Sequence, residues 1–132
     1  MNKDKLNISR IETFLNELIE NHVSDNTFFT QMIEKESISD DWNDMVLVEI
    51  PNGINDMDAY GRGVALIWLY ARPLGSGRKN VAIMSQLEQK LNNVIKNNTN
   101  HEFAISRRLT FTDYDSTIKW HCNVVELNIT IV

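Results

Sequence analysis

The sequence predicts an α+β fold: a four-stranded antiparallel sheet made of two hairpins, one main helix packed across it, and a helical N-terminus. Three observations carry this. Apolar residues recur at helical spacing over residues 9–22 and again over 81–96. The period changes at Met45, where β-branched residues begin to dominate. Two long alternating or doubly apolar runs then follow, each bounded by turn residues.

The elements follow in order. Ser9-Arg-Ile-Glu12 has the form of a capping box, and Ile11, Phe14, Leu15, Leu18 and Ile19 form one stripe behind it. Asp25 or Asn26 is placed to cap a second, shorter helix carrying Phe28, Phe29, Met32 and Ile33. Residues 36–44, "ESISDDWND", are polar apart from Ile38 and Trp42 and read as a connector. "MVLVEI" is a first strand, stopped by Pro51-Asn-Gly53.

Residues 63–72 are apolar on both sides. Val64, Leu66, Trp68 and Tyr70 share one side; Ala65, Ile67, Leu69 and Ala71 share the other. A buried helix would show similar apolarity, but the aromatics, the length and the stop at Arg72-Pro73 favour a central strand. Residues 81–96 follow as the main helix, with Val81, Met84, Leu87, Leu91, Val94 and Ile95 as its stripe. Residues 102–112 alternate, placing Phe103, Ile105, Leu109 and Phe111 inward with Arg107 interrupting, and "TDYDS" is the expected turn. The last strand, 117–131, changes phase: Ile118, Trp120, Cys122 and Val124 precede Val125, Leu127, Ile129 and Ile131. Because side chains alternate strictly along a strand, this pattern predicts a bulge or bend near Asn123–Val125. The order is α-α-β-β-α-β-β in one domain spanning residues 1–132, long enough to bury roughly two-thirds of its unfolded surface.

Bulk properties narrow the function. The net charge of −5 gives no general attraction to nucleic acid or anionic membrane. Arg72, Arg78, Lys79, Arg107 and Arg108 fall in the second half and Arg62 just ahead of it, leaving the first half acidic. No apolar run reaches the roughly 18 residues a membrane span needs, and no apolar leader region follows the first residues. A single cysteine, Cys122, excludes an internal disulfide and fits a reducing, cytoplasmic compartment.

Gly75-Ser-Gly77-Arg78-Lys79 lies between strand and helix, as phosphate loops do. Its glycines are two apart, and Asn80 stands where a magnesium-binding hydroxyl belongs, so no nucleotide is expected. Few side chains are available to pack this loop, and it is expected to be mobile in a free subunit. Asp40, Asp41, Asp44, Asp56 and Asp58 lack calcium-loop spacing. Glu49 and Glu126 lie on strands like a nuclease carboxylate pair, but the lysine such sites carry two residues on is replaced by Pro51 and Asn128. His121 and Cys122 are neighbours on a strand and point to opposite sides, with His22 and His101 remote, so no zinc site is expected. No nucleophile elbow occurs either. The expectation is a protein that is not an enzyme and needs no cofactor or metal.

The aromatics point elsewhere. One main helix covers one side of a doubly apolar strand, which leaves a surplus apolar side for a partner subunit. Trp68, Tyr70 and Trp120, with Arg78 and Lys79 of the glycine loop, are the candidate interface residues.

The element order, with "GRGVALIWLYARPLGSGRKNVAIMSQLEQKLNNVI" followed by the hairpin "AISRRLTFTDYDSTIKWHCNVVELNITI", resembles the tail terminator or tail-completion proteins of long-tailed phages. The resemblance covers nearly the whole chain in order and length and rests on pattern. It implies a non-enzymatic protein that forms a ring, typically a hexamer, at the end of the tail tube. Such a ring stops tube polymerisation and meets head-completion proteins. It further implies a location in the host cytoplasm during assembly and then in the virion tail, without membrane or sequence-specific nucleic-acid partners. The alternatives are another small phage structural or neck protein, a non-catalytic host domain binding a ligand or protein, and a divergent metal-dependent enzyme.

Overall fold

The structure is a computed structural model that describes residues 1–29 and 32–132. It is α+β, with two α-helices and a mixed six-stranded sheet. After a 3-10 turn at Lys3–Leu6 come α1 (Ile8–Ile19), β1 (Thr27–Phe29), a 3-10 turn at Lys35–Ser37, β2 (Asp44–Glu49) and β3 (Ile54–Asp56). β4 (Gly61–Ala71), α2 (Val81–Lys96), β5 (Phe103–Asp115) and β6 (Trp120–Ile131) complete the chain. The sheet order is β1-β2-β4-β6-β5, with β3 pairing beside β4. β1 runs parallel to β2, and the other pairings are antiparallel.

The expected four-stranded antiparallel sheet is therefore too small, and the expected order lacks two strands. Pro51-Asn-Gly53 divides one edge of the first hairpin into β2 and β3, both of which pair with β4. The second difference lies at Phe28 and Phe29. In place of a short helix, Thr27–Phe29 adds to the sheet edge alongside Val46–Val48. Tertiary pairing overrides local capping here, because Asn26 spends its side chain on the Asp44 carbonyl at 3.0 Å. Residues 30–31 of the expected helix lie outside the described residues.

α1 also begins two residues earlier than the capping box implies. Asn7 occupies the cap without a side-chain bond, and Ser9 sits inside the first turn, where its carbonyl accepts from Thr13 Oγ1. The preceding 3-10 turn feeds straight into the helix, so its position fixes the start. The helix stops at Ile19, not residue 22, as Asn21 adopts a left-handed φ of 64° that asparagine tolerates. α2 matches its expected bounds, and Asn80 caps it by accepting from the Ile83 amide at 3.2 Å. Val81 is the one member of its expected stripe left exposed.

Both helices cover the same side of the sheet. Ile11, Phe14, Leu15 and Ile19 of α1 and Met84, Leu87 and Leu91 of α2 pack on Val46, Val48, Ala65, Ile67, Leu69, Val125, Leu127, Ile129 and Ile131. Gly61 and Gly63 lie on this side, and a Cβ at either would collide with Leu6 or Ile54. The side-chain division of β4 expected from sequence is the one found: its odd residues face the helices and its even residues face away.

The predicted bulge is not in the last strand. β6 pairs with β4 in unbroken register from His121 to Ile131, so Val124 and Val125 point to opposite sides and both are buried. The phase change in apolarity reflects which side is covered at each end of β6. The irregularity lies in its neighbour, between Arg107 and Leu109 of β5. Consequently Phe103 and Ile105 face the helices, while Leu109 and Phe111, expected on the same side, pair with Glu126 and Val124 on the other. The hairpin turn falls later than "TDYDS", because Asp115 Oδ1 accepts from the amides of Thr117 and Ile118 and fixes the turn beyond it.

Candidate interaction surface

The helix-free side of the sheet has two unlike halves. Over Met45, Leu47, Tyr70, Trp120, Cys122 and Val124 lies a strap, residues 32–42, which contributes Ile33, Ile38 and Trp42, with Phe28 of β1 against Trp42. In sequence only residues 36–42 of this strap read as a polar connector, while Ile33 reads as part of the expected second helix. The strap's clasp is Arg72. The Arg72 Nε donates to the Trp42 carbonyl at 2.6 Å and Nη2 to the Ser39 carbonyl at 2.8 Å. The guanidinium also lies 4.7 Å from the Trp120 ring centroid. A planar cation meets two carbonyls and an aromatic face at once, which no other side chain does as well.

Beyond the strap the same side is open. Two rows of side chains, set by strand register, mark it. Phe111–Val124–Trp68–Leu47 runs along the strap's margin, with Val124 and Leu47 buried, and Leu109–Glu126–Leu66–Glu49 lies beyond it. Leu66 and Trp68 are half-buried, while Leu109 and Phe111 are 52% and 39% exposed. Polar groups rim these apolar residues. Glu49 accepts from Trp68 Nε1 at 2.8 Å, and Glu126 pairs with Arg108 at 2.9 Å. A shallow depression of about 380 Å³, lined in part by Arg62, Val64, Arg108 and Asn128, continues the surface toward β3. This surface offers apolar contact framed by charge, the composition of a protein–protein contact.

The five candidate residues are dispersed by the fold. Tyr70 and Trp120 are buried beneath the strap, within one subunit. Trp68 lies at the boundary of the open half. Arg78 is exposed, and its guanidinium donates to Ser76 of its own loop at 3.1 Å. Lys79 turns inward: its Nζ donates to Asn123 Oδ1 at 2.6 Å, and Asn123 donates to Glu88 of α2. The glycine loop is thus tied at its C-terminal end, and His121 Nε2 sits 3.0 Å from the Gly77 carbonyl. The contact residues missed in sequence are Leu109 and Phe111. Their alternation with Phe103 and Ile105 signals burial on one side, and only the bulge reveals otherwise.

The titrating groups considered earlier are held in structural roles. Burial, reinforced by Asp113 and Asp115, pushes the Cys122 thiol up to about 12, so it stays protonated at neutral pH. Burial likewise raises the Tyr70 hydroxyl well above its ordinary value. Glu49 and Glu126 share a side but have Leu66 between them, two strand spacings apart. Ser24 donates to Asp44 at 2.6 Å and accepts from the Asn26 amide, which ties the α1–β1 turn to β2. Among the described residues no three His, Cys, Asp or Glu side chains are grouped to hold a metal ion. No helix among them is long and apolar enough to cross a membrane.

The sequence matches no protein-family profile and no curated protein.

Proposed function

We propose that the chain is a non-enzymatic structural subunit of a phage or prophage tail: a terminator or completion protein that assembles as a ring on the end of the tail tube and joins tail to head. The observation that supports this reading is the uneven covering of the sheet. One side is covered by two helices, whereas half of the other side presents apolar side chains to solvent, Leu109 and Phe111 of β5 among them. A subunit that works alone gains nothing from exposing Leu109 and Phe111, but a subunit that completes its core against neighbours does. The resemblance to tail terminators supports the particular assembly in the parts of the expected order that remain: a helical N-terminus, a hairpin, a crossing helix and a long final hairpin. In this reading the protein acts in the host cytoplasm and then in the virion, with the tail tube and head-completion proteins as partners.

The test is to polymerise tail-tube protein from the same source with and without this chain and to image the tubes. The expected result is tubes of bounded length carrying a ring-shaped cap. Tubes of unchanged length with no bound protein would remove the tail reading.

A further inference from the structure

β5, a strand of 13 residues, ends the sheet, and among the described residues no strand pairs with its outer edge; only its ends are met by side chains, Asn98 donating to the Phe103 carbonyl and Asp113 accepting from the Tyr114 amide. Every residue from Ser106 to Tyr114 is exposed. Long exposed edges invite pairing with another chain unless they are covered or guarded. The chemistry along this edge is ordered. Arg107 and Arg108 lie at one end, Asp113 and Asp115 at the other, and Leu109-Thr110-Phe111 between them.

We propose that β5 pairs antiparallel with β5 of a second copy of this chain, about a two-fold axis passing through Thr110. Three features select this arrangement. A two-fold axis normal to the sheet keeps the helix-free sides of both copies on one side, so residues of like parity must oppose each other. Centred on Thr110, Leu109 then faces the partner's Phe111 and Phe111 faces the partner's Leu109, giving two apolar pairs around a threonine pair. Arg108, which turns to the helix-free side against Glu126, comes beside the partner's Asp113 on that same side, whereas Arg107 turns to the helix side toward Asn92. Parallel pairing would instead set Arg107 and Arg108 against themselves, which is unfavourable. The bulge at Arg108 ends the paired stretch, and symmetry places its other end at Thr112. The two rows of apolar side chains then continue from one copy into the next.

So short a contact belongs among weak interfaces, and the pairing is reversible. It is also isologous, so it closes at two copies, whereas a tail ring needs head-to-tail contacts. The dimer is therefore the state of the free subunit and does not rest on the tail reading. An unaltered chain that caps tubes yet stays monomeric counts against this pairing alone, and one that dimerises yet does not cap tubes counts against the tail reading alone.

Sedimentation velocity on the purified chain across about 1–100 µM, a range suited to weak association, should show monomer and dimer in exchange. Phe111→Lys should weaken the dimer at least about tenfold with an unchanged circular-dichroism spectrum, as expected for an exposed position. As a second reading of the register, Thr110→Cys should form a disulfide-linked dimer under mild oxidation, because opposed residues bring their Cβ atoms within bridging range. Ser106→Cys, outside the paired stretch, should not, and the buried Cys122 does not compete. A strict monomer at every concentration would overturn the pairing. So would association unaffected by Phe111→Lys, or equal cross-linking at 106 and 110.

Discussion

The two sides of this sheet are closed by different physics. On the helix side, α1 and α2 supply seven buried apolar side chains in regular stripes, and the contact is continuous along β4 and β6. On the other side an irregular strap covers one half, held by one arginine, and the remaining half is open. Regular elements bury a face by repetition, so removing one residue leaves the rest in place. A strap depends on a few anchors. The helix side should therefore carry the fold's stability, and the helix-free side its capacity to change partners.

Adjacent residues of β4 break this comparison most sharply. Ile67 is fully buried toward the helices and Leu66 is half-buried on the open half. Ile67→Ala should cost about 2–5 kcal/mol, as core truncations do. Leu66→Ala should cost about 1 kcal/mol or less, in keeping with partial burial. Urea denaturation of the pair measures both, and equal losses would mean that the open half is as tightly packed as the helix side.

The clasp comes next. Arg72→Ala should cost about 1–3 kcal/mol, since it strips two carbonyls and an aromatic face of their cation. It should also speed proteolysis within residues 32–42 while leaving α1 and α2 protected. Arg72→Lys should recover little, because an ammonium cannot make both bonds and the stacking contact together.

Alkaline pH should act through the helix-free side. Cys122 and Tyr70 both lie there, and both are held protonated by burial. In the unfolded chain the thiol ionises near 9 and the phenol near 10, while in the folded chain Cys122 holds its proton to about 12 and Tyr70 holds its own above the ordinary range. The unfolded state then binds fewer protons, so stability should be unaffected by these groups below pH 9 and should fall as pH rises from 9 toward 12. Denaturation midpoints across that window check the sign. A midpoint that rose would contradict the burial of both groups.

The smallest effects separate two neighbours in the glycine loop. Lys79→Glu should destabilise by about 1–2 kcal/mol, because it removes the bond to Asn123 and places a carboxylate near Glu88. Arg78→Glu should stay within about 0.5 kcal/mol, as surface changes usually do. Thermal melts distinguish them.

Much of the helix side was legible in the sequence, because helical stripes and the doubly apolar run of β4 repeat at fixed periods. The helix-free side was legible only in part. Ile33 reads as part of a second helix, and Ile38 and Trp42 stand isolated in a polar connector, so nothing marked residues 32–42 as a cover. The last hairpin misleads in two complementary ways. β6 changes apolar phase without a bulge, since its two ends are covered on opposite sides. β5 keeps its phase through a bulge, so Leu109 and Phe111 read as core while facing solvent. Of the interface residues expected from sequence, the aromatics Tyr70 and Trp120 serve the strap, and Trp68 remains at the edge of the open half.

Hydrogen–deuterium exchange with mass spectrometry, on dilute and on concentrated or tube-bound protein, tests directly whether association uses the β5 end of the helix-free side. The outward-facing amides of residues 106–114 should exchange rapidly in dilute protein and become protected as association proceeds, while peptides from α1 and α2 remain unchanged. Protection confined to α1 and α2, with residues 106–114 exchanging at the same rate in both states, would contradict the account.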